Sequence, residues 1–148
     1  MDRPAVLAAE GAGNDLHRLF QQHDAPGGVG LFLVGRLAAP FGTDVAGVAG
    51  GLPGPPILAG TTRSGVAVSM DIGLSPRATG QVIAHELGHY LGLLHTVEPG
   101  GLPDPLPDTP DDPADTANLM APRVTDAPVG LTPQQGEVLR SGAALDSP

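Results

Sequence analysis

Apolar positions along the chain change period several times, and each change marks an element. In "NDLHRLFQQH" (Asn14 to His23), Leu16, Leu19 and Phe20 recur at helical spacing behind a natural N-cap, Asn14, which predicts a short amphipathic helix. After a Pro-Gly-Gly break, "VGLFLVGRL" (Val29 to Leu37) is the continuous apolar run of a buried strand, and "SGVAVSMDI" (Ser64 to Ile72) is a second. Between them, "VAGVAG" suits at most a short edge strand, weakened by its glycines. The longest helical signal starts at Ser75, an N-cap, with Pro76 in the first turn. It carries Val82, Ile83, Leu87 and Leu91 at helical spacing and stops at Gly92, where a left-handed C-cap fits. From Pro99 to Pro128 the density of Pro and Asp excludes regular structure. "LTPQQGEVLRSG" reads as a final helix capped by Thr132, with Pro133 first and an end near Gly142. The pattern is α+β: an α/β-layered N-terminal half and a smaller irregular C-terminal half that finishes in a helix.

Composition adjusts this picture. A chain of 148 residues is one domain of ordinary size, divisible into an upper part, 1–92, and a lower part, 93–148. With 22 Gly, 17 Pro, three Phe, one Tyr and no Trp, the core must be aliphatic and the loops many. Every basic residue is arginine, and the net charge of −9 argues against nucleic acid or an anionic membrane surface as a partner. Seven carboxylates and only Arg123 lie between Glu98 and Asp126, a local excess that wants water or a cation. The absence of cysteine excludes disulfides, thiol catalysis and a thiolate-bound metal. No stretch has the length of a membrane span, and the N-terminus lacks a basic region followed by an apolar run.

The long helix contains the candidate chemistry, "HELGHYLGLLH", His85 to His95. Positions four apart share a helix face, roughly 6 Å apart along the axis, so His85 and His89 can address one point. His95 lies too far along the axis to join them unless the chain turns back at Gly92. Three imidazoles are the usual protein share of a hydrolytic zinc site that leaves a place for water. Glu86, one residue round the helix, is placed to take a proton from that water and pass it to a leaving amine. Chance places these five residues at this spacing in roughly one such chain in 10⁵, whereas an isolated HExxH is a weaker signal. His17 and His23 read as ordinary polar residues of the first helix.

Extended to HExxHxxGxxH, the segment resembles the metzincin clan of zinc peptidases. The resemblance covers Val82 to Met120 in motif and about Val29 to Leu139 in layout. It implies a methionine-containing turn beneath the metal, for which "NLMAP" with Met120 is the candidate; plain core packing of that methionine is the alternative. Thr96 after the third histidine and "DPLPDTPDDP" (Asp104 to Pro113) are similar to the pappalysin-type group, where the aspartate-rich segment helps hold calcium. Asp104, Asp108 and Thr109 are the matching positions, and an oxygen-rich loop suits a hard cation, though a solvated acidic loop has the same look. "APRV" after Met120 lacks the tyrosine of astacins and serralysins, and the missing cysteines depart from the pappalysin pattern.

The resemblance further implies a metzincin-like fold, with a twisted mixed sheet, the active-site helix behind it and a peptide lying in a cleft across the zinc. The edge strand paired with that peptide is then "DVAGVAG". The wall of the pocket beyond the scissile bond comes from Leu119 to Val129, and the acidic surroundings make a basic side chain there conceivable. The expectation is a zinc-dependent endopeptidase: His85, His89 and His95 as ligands, Glu86 as general base, a peptide or protein as substrate. The family also implies a monomer, secreted or extracytoplasmic, with Zn²⁺ and a candidate Ca²⁺. Two other classes fit the same residues: a catalytically silent zinc-binding module, and a calcium-dependent structural domain.

Overall fold

The computed structural model describes residues 6–7, 15–24, 27–37, 45–55 and 58–142. Asn14 and Asp44, read above as a cap and as part of the edge strand, lie outside them. In chain order the elements are β1 (Val6–Leu7), α1 (Asp15–Gln21), β2 (Leu31–Val34), β3 (Arg36–Leu37), β4 (Gly47–Ala49), β5 (Val66–Ser69), α2 (Pro76–Tyr90) and α3 (Pro133–Ser141). The class is α+β.

β5 is the middle strand because its four small or β-branched residues are all buried. It pairs in parallel with β2 (Leu31 opposite Val66) and antiparallel with β4 (Gly47 opposite Val68), giving the order β2-β5-β4. The run Val29 to Leu37 is two strands rather than the single one expected. The chain bends at Gly35, and β3 leaves β5 to pair in parallel with β1. A side chain makes the break tolerable. The buried Ser69 hydroxyl accepts from Leu37 N–H at 3.1 Å and donates to Val45 O at 2.9 Å, replacing the ladder bonds the bend removes. β5 is likewise shorter than the stretch from Ser64 to Ile72.

α1 stops at Gln21, and His23 lies beyond it with its Nε2 3.1 Å from Gly28 O. Leu16 and Phe20 of α1 close the core against Val34, Leu37 and Ala67. α2 is capped as its sequence directs. The Ser75 hydroxyl accepts from Ala78 N–H, Pro76 opens the first turn, and Gly92 follows the last one at φ 107°, a left-handed angle that glycine adopts without strain. Its buried row differs from the expected one. Ala78, Val82, Glu86 and Tyr90, four apart, face inward, while Ile83, Leu87 and Leu91 are half-buried. A glutamate thus occupies the core-facing row of a helix packed on β4 and β5. Between Val97 and Gly130 only isolated bridges form, Val97 with Pro103 and Asn118 with Gly130. No helix among the described residues is long and apolar enough to cross a membrane.

Candidate metal centre

His85 and His89 project from consecutive turns of α2, and the turn at Gly92 brings His95 back to them. Their ligand atoms form a cluster within 4.8 Å, with ring centroids 4.5 to 5.2 Å apart. Each ring is anchored at Nδ1. His85 Nδ1 lies 2.7 Å from Leu119 O, His89 Nδ1 2.7 Å from Leu93 O, and His95 Nδ1 3.2 Å from Glu98 Oε2. Carbonyl and carboxylate oxygens only accept, so Nδ1 carries the proton in each neutral ring and Nε2 is left with a bare lone pair. The Nε2 atoms of His89 and His95 face each other at 3.1 Å. Two bare nitrogens at that distance repel unless a cation lies between them. Nitrogens about 3.3 Å apart are what tetrahedral coordination at ordinary metal–imidazole lengths requires. Burial, opposed by the Leu119 bond and aided by the neighbouring rings, lowers the pKa of His85 to about 4. Burial also lowers that of His89, so both are neutral, ligand-competent imidazoles at neutral pH. This donor set fits a borderline transition ion.

Met120 packs against α2 at Gly88. It is fully buried, and a Cβ built on Gly88 would meet its sulfur at 2.6 Å, so Gly88 is what lets the turn approach α2 between the two helical ligands. Met120 O accepts from Thr96 N–H at 3.0 Å, which joins the turn to the segment after His95. The Asn118 carboxamide shapes the turn, accepting from Met120 N–H at 2.8 Å and donating to Gln135 Oε1 at 2.9 Å. Gln135 belongs to the capping box of α3, so the last helix is bonded to the turn that carries Met120.

Glu86 is only 7% exposed. Burial raises its pKa to about 7, against the opposing effect of a hydrogen bond from the Ala49 N–H. Its room comes from β4, since a Cβ at Gly47 would lie 2.5 Å from Glu86 Cγ. Glu86 opens into a cavity of about 720 Å³ shared with His85 and His95. Ile72, Leu74, Val82, Val124 and Val129 make its walls mostly apolar, and Leu119 with Ala121 to Thr125 also lines it. Among the described lining residues only Glu86 and Arg123 are acidic or basic, and the one carboxylate is Glu86 beside the imidazoles. The far end is tied to α2, where Ser75 donates to Asp126 and Gln81 Nε2 donates to Ala127 O. A smaller hollow on the other side is lined by β4, Leu52, Glu86, His89, His95 and Glu98.

The acidic loop divides. Asp104 Oδ1 accepts from Leu106 N–H, while its buried Oδ2 and the buried Thr109 Oγ1 find no partner among the described residues. Burial raises the Asp104 pKa. Asp108 is employed elsewhere, its two oxygens accepting from the Thr132 hydroxyl at 2.8 Å and from Gln134 N–H at 3.0 Å, at the start of α3. The sequence reading named neither Glu98, Gln135 nor Gly47 for these roles. Only Glu98 had a legible signal, an acid three residues after a histidine; the other two depend on contacts across the fold. No model of a known protein family matches this chain, and no curated protein shows significant similarity to it.

Proposed function

We propose that this chain is a zinc-dependent endopeptidase of metzincin type. The observation that carries the reading is the convergence of three Nδ1-anchored imidazoles, bare nitrogens inward, beside a buried carboxylate at the head of a cavity. Zinc on three imidazoles supplies an acidified water and a Lewis acid for the scissile carbonyl. Glu86 accepts a proton at its carboxylate and delivers it to the leaving amine. β4 orients the peptide. The bonds Ser69 N–H to Ala46 O and Gly50 N–H to Gly65 O show that its even-numbered residues pair with β5, so the main-chain groups of Gly47 and Ala49 face the open edge. A peptide laid along that edge pairs with the Gly47 amide and carbonyl and with the Ala49 carbonyl. The cavity receives the side chain after the cleaved bond, and its apolar wall favours a large apolar one.

A calcium ion beside Asp104 and Thr109 is the smaller part of the proposal. Their two buried, unpartnered oxygens support it, with Asp108 acting as a helix cap. The main reading is tested by metal analysis of the purified protein and by cleavage of a peptide library with and without chelator. The expected result is one zinc per chain and cleavage that the chelator abolishes. Glu86→Gln should retain zinc while losing roughly 10²- to 10⁴-fold in rate. A variant that cleaves as fast as the parent ends this mechanism.

A further inference from the structure

We propose that Glu98 is a positioning residue for the third ligand: it holds His95 with Nε2 bare and turned toward His89. The inference rests on the metal-centre reading and adds a residue to it. Glu98 makes two contacts with one residue. Its Oε2 lies 3.2 Å from His95 Nδ1, and its Oε1 accepts from His95 N–H at 3.2 Å. An ordinary i,i+3 surface pair touches side chain alone and contributes little; this carboxylate fixes the ring and its own main chain together. The backbone of Glu98 is itself held. Its N–H donates to Leu102 O and its carbonyl accepts from Gly101 N–H, both at 2.8 Å, in a turn that Gly101 closes at φ 79°.

The turn is anchored on both sides, by the Val97–Pro103 bridge and by the Thr96 N–H bond to Met120 O. From this held main chain, the carboxylate lies back against His95. The other two rings use carbonyls of Leu119 and Leu93, so Glu98 is the one anchor made by a side chain. A carboxylate behind an imidazole sets its tautomer and makes its far nitrogen a better donor to a metal.

Two measurements test this. In the chelated, ¹⁵N-histidine-labelled protein, long-range imidazole spectra should show His95 as a single Nδ1–H tautomer. Glu98→Ala should convert it to a mixture, and Glu98→Gln, which keeps an accepting oxygen, should restore most of the Nδ1–H form. In competition with a chromophoric chelator, Glu98→Ala should weaken zinc binding roughly 10- to 100-fold, and Glu98→Gln less, while Glu137→Ala on exposed α3 changes nothing. If Glu98→Ala unfolds, Glu98→Leu, which keeps bulk but offers no accepting oxygen, carries the comparison. An unchanged His95 tautomer together with unchanged zinc affinity overturns the assignment. A parent chain that takes up no zinc defeats the metal reading instead, and the tautomer measurement separates the two failures because it is made without metal.

Discussion

Glu86 sits in the inward row of α2 because Gly47 on the facing strand carries no side chain. A methyl at that position would overlap Glu86 Cγ and Cδ at 2.5 and 2.9 Å, and the buried carboxylate would have to shift toward one of the two hollows it lines. Gly47→Ala should therefore leave zinc binding near the parent's while lowering kcat by roughly 10- to 100-fold, the usual penalty for a catalytic group displaced by about an ångström. Steady-state kinetics beside a zinc titration checks this; unchanged kcat shows that the carboxylate does not depend on that gap. Neither residue announced the pairing in the sequence. Glu86 stood out from its place in the motif, but its burial is a property of two elements in contact.

At the scale of the element, caps and breaks were the most legible features. Ser75, Pro76, Gly92, Thr132 and Pro133 fall where local chemistry put them, because a cap bonds to its own helix and needs no distant partner. The strands were read less well. The run from Val29 to Leu37 is uniformly apolar, and only the pairing of β3 with β1 shows that it divides at Gly35. Asp108 was read as a possible calcium residue from the resemblance, and in the fold both its oxygens accept hydrogen bonds from the start of α3, 26 positions on in the case of Gln134. Asp108→Ala should then cost about 1 kcal/mol, the worth of an N-cap, by the same amount in calcium and in chelator. Urea unfolding under both conditions distinguishes the roles; a loss seen only with calcium present returns Asp108 to the cation.

Across the whole molecule, the centre is where three stretches meet: α2, the return segment from Leu93 to Glu98, and the turn at Met120, itself bonded through Asn118 to Gln135. Burial of the unmetallated centre has a sign that pH can read. Glu86, raised from 4.5 to about 7, stays protonated in the fold where the unfolded chain ionises, so it destabilises the metal-free protein as pH climbs from 4.5 to 7. His85, lowered from 6.5 to about 4, acts oppositely, and its contribution is lost as pH falls from 6.5 to 4. In chelator, Glu86→Gln should match the parent at pH 4 and exceed it by at most about 3 kcal/mol at pH 8. Equal stabilities at pH 8 show that the carboxyl is not held in a desolvated place. One residue joins two properties of this assembly. Leu119 lines the cavity, and its carbonyl steadies His85. Every amino acid brings the same carbonyl, so evolution is free to resculpt preference at this codon while the imidazole it steadies keeps its orientation. On the proposed function, selectivity and ion capture, adjoining in space, would be separable by mutation.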